Sequence, residues 1–182
     1  MTTLLNFLGQ PSSGKTSLSA LVFAKLKEIG AEVEYASEYV KSWAWESRKM
    51  TPFDQYYIFG KECHNQSILF NKVDIVISDS PVMLTAFYHY FYNKKNSLRV
   101  PCREFYETAE NDFEVKPINF FLPRRKDYNP RGRFQTQEEA DNISVMLKTW
   151  LNFEGYPYVE LLCEDNERLN EVMKVLEKEG VI

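Results

Sequence analysis

A chain of 182 residues, 44% apolar and 26% charged, can bury one sizeable core and is too apolar for wholesale disorder. Its net charge of −4 argues against a basic coat that holds nucleic acid everywhere. It leaves room for a local basic groove, since ten Lys/Arg against six Asp/Glu fall between Lys94 and Arg133. Three scattered cysteines with no C-x-x-C point to a reducing compartment and no metal site. The N-terminus lacks a secretory pattern, and no apolar run approaches the roughly 18 residues a membrane helix needs. The expectation is a soluble, cytoplasmic, single domain over 1–182 with no membrane partner.

In chain order, Leu4–Leu8 is an apolar run that predicts a buried parallel strand. Lys15–Ile29 has helical spacing and stops at Gly30, a suitable C-terminal cap. Glu32–Ala36 predicts a second strand and Tyr39–Trp45 a short helix. Thr51-Pro52 predicts the start of a longer helix, with Thr as N-cap and Pro in the first turn. Val73–Ser78 is the clearest buried strand, and Val82–Tyr92 is a helix dense in aromatics. Pro101–Asn111 predicts a helix and Pro117–Leu122 a strand. After a basic loop, Thr136-Gln137-Glu138-Glu139 forms a capping box that opens a helix to about Asn152. Tyr158–Leu162 predicts a fifth strand, and Asp165 caps a last helix ending near Gly180. Strands alternating with helices, joined by right-handed crossovers, imply a five-stranded parallel sheet with helices on both faces: an α/β three-layer sandwich.

Gly9-Gln10-Pro11-Ser12-Ser13-Gly14-Lys15-Thr16 matches G-x-x-x-x-G-K-[ST], between a strand and a helix. In such a phosphate-binding loop the glycines let the backbone close around phosphate oxygens, and the amides at the helix start favour an anion. The residues expected to bind ATP are Gly9, Pro11, Ser12, Ser13, Gly14, Lys15, Thr16 and Ser17. Lys15 is expected to reach the β- and γ-phosphates, and Thr16 to ligate Mg²⁺ through its hydroxyl.

Ligands of an open parallel sheet sit beyond the carboxyl ends of its strands. Asp79 closes the Val73–Ser78 run and is a candidate Mg²⁺-associated carboxylate; the alternative is a helix N-cap ahead of Pro81. Glu38 follows the second strand and is a candidate base for an alcohol acceptor, or else a solvated loop residue. Arg124, Arg125, Lys126, Arg131 and Arg133 cluster around Pro130 and Gly132. They suit a lid over about 123–135, in which Arg131 and Arg133 meet the transferring phosphoryl group and Arg124 and Arg125 the nucleotide. The plain alternative is a solvated basic loop. The six consecutive rings of Phe87–Tyr92 cannot all face one core on a helix, so they either pack partly in the core or form a stacking surface beside Lys94 and Lys95.

The loop GQPSSGKT, the segment EYVKSWAWE, the strand and turn VDIVISDSP, and Tyr128–Arg133 together resemble small phage-encoded P-loop kinases, often labelled AAA-type ATPases. These are similar in layout to ribosylnicotinamide kinases and deoxynucleoside kinases, over about residues 3 to 150. In deoxynucleoside kinases an acid after the second strand is the base, and an acid after the third is followed by Arg. Glu38 and Asp79 fall on those positions, with Ser80 in place of the Arg. Some phage kinases that this chain resembles act on 5-hydroxymethyluracil already in DNA.

Motif and resemblance together imply an ATP- and Mg²⁺-dependent kinase. Its acceptor is expected to be a hydroxyl on a free nucleoside or nucleotide, or on a hydroxymethylpyrimidine in phage DNA. The alternatives are a nucleoside monophosphate kinase and a P-loop ATPase or switch module that phosphorylates no acceptor. A homodimer is compatible with the sequence, as is the host cytoplasm if the chain is phage-encoded.

Overall fold

The structure, a computed structural model, describes residues 1–124, 128–131 and 134–182. Five strands, β1 (Thr2–Leu8), β2 (Val33–Ala36), β3 (Ile75–Ser78), β4 (Val115–Phe121) and β5 (Val159–Glu160), form one sheet in the order β2-β3-β1-β4-β5. Every pairing is parallel. The helices are α1 (Lys15–Glu28), α2 (Lys41–Trp45), α3 (Asp54–Ser67), α4 (Val82–Asn93), α5 (Arg99–Phe113), α6 (Gln137–Glu154) and α7 (Arg168–Lys178). No helix among the described residues is long and apolar enough to cross a membrane.

The period-2 alternation of β1 divides the core. Leu4 and Leu8 pack on one face with Val76, Phe87 of α4 and Leu147 of α6. Leu5 and Phe7 pack on the other with Ile77, Phe120, Leu18 and Val22 of α1, and Val172 and Leu176 of α7. Burial on both faces explains why β1 and β3 read as continuous apolar runs. Asn6 is a buried polar residue within the β1 run, and its Nδ2 donates to Asn119 Oδ1 at 2.9 Å across the sheet.

Several expected boundaries hold. Thr136 Oγ1 accepts from the Glu139 amide while the Glu139 side chain accepts from the Thr136 amide, so the capping box forms as the spacing predicts. Gly30 follows α1 at φ +84°.

Two helix starts differ. α3 begins at Asp54, because Asp54 Oδ2 accepts both the Thr51 amide and the Thr51 hydroxyl, at 2.7 and 2.9 Å. That closed turn, with Arg48 bonded to Oδ1, displaces Thr51 and Pro52 from the cap. α7 begins at Arg168, and Asp165 is drawn into an ion pair with Arg168 at 3.0 Å instead of capping the helix. β5 is also shorter than expected, as an edge strand that runs only alongside Phe120 and Phe121.

The aromatic helix α4 divides by face. Phe87 and His89 are buried, at 0% and 1% exposure, while Tyr92 is 43% exposed. Tyr88 and Tyr92 stack with their rings 6.0 Å apart and both line a cavity above the sheet.

Candidate active site

Register brings the candidate residues together. Asn6 of β1 pairs with Ser78 of β3, and Ala36 of β2 pairs with the same Ser78. The residues just past these ends (Gly9 onward, Asp79 and Glu38) therefore emerge side by side at the carboxyl edge of three adjacent strands. A cavity of about 410 Å³ opens there. It is lined by residues 11–17 of the phosphate loop, by Glu38 and Asp79, and by Lys41, Gln55, Tyr88 and Tyr92 among others.

The loop has the shape that its glycines permit. Gly9 sits at φ +148° and Gly14 at φ +91°. Lys15 Nζ donates to the Gly9 and Gln10 carbonyls at 2.8 and 3.2 Å. Thr16 Oγ1 donates to Asp79 Oδ2 at 2.6 Å, across 63 positions of sequence. Asp79 is 3% exposed, and its other oxygen, Oδ1, is buried with no hydrogen-bond donor among the described residues. A buried carboxylate oxygen in that state suits a cation, and Thr16 and Asp79 are the residues that would hold Mg²⁺.

The basic loop meets the site through its backbone. Ser12 Oγ donates to the Asn129 carbonyl at 3.2 Å. Arg131 is exposed and does not line the cavity; its amide bonds Asn129 Oδ1. Arg124 pairs with Asp141 on α6, lies over the Tyr128 ring and does not line the cavity. Arg125 and Arg133 lie outside the described residues.

Three further residues at the site carry no signal in the sequence motifs. The Tyr35 hydroxyl shares a 2.5 Å hydrogen bond with Ser19 Oγ. Burial and the Asp79 carboxylate push that phenol above its usual range, so it stays a neutral partner there. Gln55, on α3, is 7% exposed and lines the cavity.

Glu62, also on α3, is fully buried, and its Oε1 accepts from the Tyr39 amide at 3.0 Å. That amide directly follows Glu38, so Glu62 fixes the backbone that carries the candidate base. Burial, and then the Glu38 and Asp79 carboxylates, push the Glu62 carboxyl up to about 8, against the pull of the Tyr39 N–H. The folded chain therefore keeps a proton on Glu62 between pH 4.5 and 8 that the unfolded chain has lost. The sign is destabilising with rising pH: this group lowers stability progressively from pH 4.5 and fully above pH 8. Glu62→Gln mimics the neutral acid, so its melting temperature should match wild type near pH 4.5 and exceed it increasingly up to pH 9. The gain at high pH is on the order of 4 kcal/mol. Thermal melts of both proteins from pH 5 to 9 check this, and a difference independent of pH would refute it.

Similarity to known proteins agrees with this arrangement. Solved structures similar to the chain include NadR in complex with NR (TM-score 0.75, 18% identity, covering 100% of this chain and 52% of that one). The chain thus spans about half the length of NadR. Thymidylate kinase from Ehrlichia chaffeensis is similar at TM-score 0.67 and 17% identity, covering 97% of this chain and 100% of that one. Deoxyadenosine kinase from M. mycoides with bound dATP follows at TM-score 0.61 and 16% identity, with the same coverage. Among curated proteins nothing matches. The AAA domain profile matches residues 4–168, nine-tenths of the chain. This chain belongs to the AAA domain family, and its parallel sheet and flanking helices have the fold of nucleotide-type P-loop kinases.

Proposed function

We propose that this protein transfers the γ-phosphoryl group of ATP to a hydroxyl of a neutral, nucleoside-type acceptor. The observation that carries the reading is the single cavity that joins residues 11–17, Asp79 and Glu38 to a chamber with apolar walls. In this reading the loop amides and Lys15 hold the phosphates, and Thr16 and Asp79 hold Mg²⁺. The metal would neutralise charge on the phosphate oxygens when bound. Glu38 accepts the proton of the attacking hydroxyl.

The acceptor chamber supports a neutral ligand. Its walls include Ile58, Leu84, Met50 and the stacked Tyr88 and Tyr92, surfaces on which a flat ring can lie. The Gln55 amide, buried in the cavity wall, offers donor and acceptor groups to the edge of such a ring. Outside the phosphate loop, Lys41 is the one cation among the described lining residues, and Glu38 opposes a second phosphate. That balance favours an alcohol over a nucleoside monophosphate.

One observation favours a base within a nucleic-acid strand over a free nucleoside. Trp45 and Phe53, at 65% and 81% exposure, immediately adjoin the lining residues Ala44 and Pro52 in sequence. Exposed rings beside a base-sized chamber suit neighbouring bases of a strand.

The test uses γ-labelled ATP with Mg²⁺ and a panel of free nucleosides, nucleoside monophosphates, nicotinamide riboside, and duplex DNA with and without 5-hydroxymethyluracil. Label in a nucleoside or in modified DNA is the expected result, and the two classes separate the two acceptors. Glu38→Gln should then lower kcat by about 10²–10³ with the KM for ATP within about twofold. Free phosphate released at the same rate with and without every acceptor would overturn the kinase reading in favour of an ATPase.

A further inference from the structure

Arg168 opens α7, far in sequence from the phosphate loop, yet it is only 2% exposed. Its Nη1 donates to the Ser13 carbonyl at 3.1 Å and its Nη2 to the Pro123 carbonyl at 2.6 Å. Asp165 pairs with Nη1 at 3.0 Å, which neutralises the cation where it is buried. One guanidinium thus ties the phosphate loop to the end of β4 and to the start of α7. A Cβ built on Gly14 would meet Nη1 at 4.0 Å and nothing nearer, so the guanidinium lies against the loop beside its last glycine.

What Arg168 holds is one half of a peptide plane. The Ser13 carbonyl and the Gly14 N–H belong to the same trans peptide and point in opposite directions. A donor that fixes the carbonyl from outside the loop therefore fixes the direction of the N–H on the inside. The planar fork of Arg reaches two carbonyls at once, which a lysine ammonium on a single stem does with poorer geometry.

We propose that Arg168 is a positioning residue for the phosphate loop, aiming the Gly14 N–H at the bound phosphates by holding the Ser13 carbonyl from the outside. The inference rests on the reading of residues 9–16 as the nucleotide site. It assigns to α7, outside the motif, a part in nucleotide affinity.

The test compares wild type, Arg168→Lys and Arg168→Met by calorimetric titration with ADP and a non-hydrolysable ATP analogue. It adds steady-state kinetics and thermal melts. The expected result for Arg168→Lys is a Kd for both nucleotides raised about tenfold, with the acceptor KM within about twofold and kcat at saturating ATP nearly unchanged. Arg168→Met should lose more affinity still. If it fails to fold, the lysine variant alone decides, because it keeps the charge and the Asp165 pair. Unchanged nucleotide affinity in Arg168→Lys overturns the proposal. So does a parallel loss of nucleotide and acceptor affinity that tracks a lower melting temperature, since that marks a general staple. Wild type that binds neither nucleotide sinks the nucleotide-site reading first, and this inference with it.

Discussion

Asp79→Asn is expected to lower kcat by about 10²–10³ while leaving the fold as stable as wild type or more so. The activity side follows from the two carboxylate oxygens. Oδ2 takes the Thr16 hydroxyl at 2.6 Å, a bond that an asparagine oxygen also accepts. Oδ1 is buried with no donor among the described residues, so the carboxylate's charge, not a hydrogen bond, is what the substitution removes. If that charge helps hold Mg²⁺, its loss costs about 3–4 kcal/mol of transition-state stabilisation. The stability side has the opposite sign. Asp79 is 3% exposed and lies near the Glu38 and Glu62 carboxylates. Replacing that buried carboxylate by a neutral amide removes the cost of burying a charge. Kinetics over a range of Mg²⁺ concentrations, with melts on the same preparations, check both halves. A variant with wild-type kcat would remove Asp79 from the proposed metal site, and a large drop in melting temperature would make its role structural.

Gly9→Ala is expected to abolish nucleotide binding, by about 10² or more, and to cost about 3 kcal/mol of stability. A Cβ at Gly9 would lie 2.5 Å from the Leu122 carbonyl oxygen and 2.7 Å from Ser13 Oγ. The first obstacle is backbone and cannot swing aside, because the Leu122 amide is itself bonded to the Leu8 carbonyl at 2.8 Å. The φ of +148° adds a conformation that an L side chain rarely adopts. The loop must therefore shift, and Lys15 loses the Gly9 carbonyl that it now holds. Gly60→Ala is the control. It lies inside α3 with nothing within 4 Å of an added Cβ, and should stabilise by about 0.5–1 kcal/mol. Nucleotide titration and denaturant unfolding of the pair check the contrast. Gly9→Ala binding as wild type would mean that the loop tolerates the shift.

The legible parts of the site share one property: each is a short pattern in consecutive residues. The phosphate loop is legible because phosphate is bound by consecutive amides and one lysine, which need their glycines at fixed spacing. Asp79 and Glu38 were readable as the first acids past apolar strands. The capping box at Thr136 closes within four residues, and it forms as expected. Where a local signal met a competing local bond, it lost. Thr51 and Pro52 spell a helix start, but Asp54 captures the Thr51 donors and delays the helix.

Tyr35, Glu62 and Arg168 were illegible for a common reason. Their partners are distant in sequence: Arg168 reaches across 155 positions to Ser13, and Glu62 across 23 to Tyr39. Glu62 on an α3 turn is written like any solvated helical glutamate, and only its packing against the backbone after Glu38 buries it. The ring of Tyr88 counts as core or as surface only once α4 has docked and turned that face to the cavity. By itself the sequence determined the strand–helix alternation, the phosphate cradle and the two acids at strand ends, because those follow from local periodicity and backbone freedom. The tertiary structure alone decided which buried polar groups surround them, what their charges cost, and which rings face the cavity, because burial and field are properties of neighbours that the chain brings together only by folding.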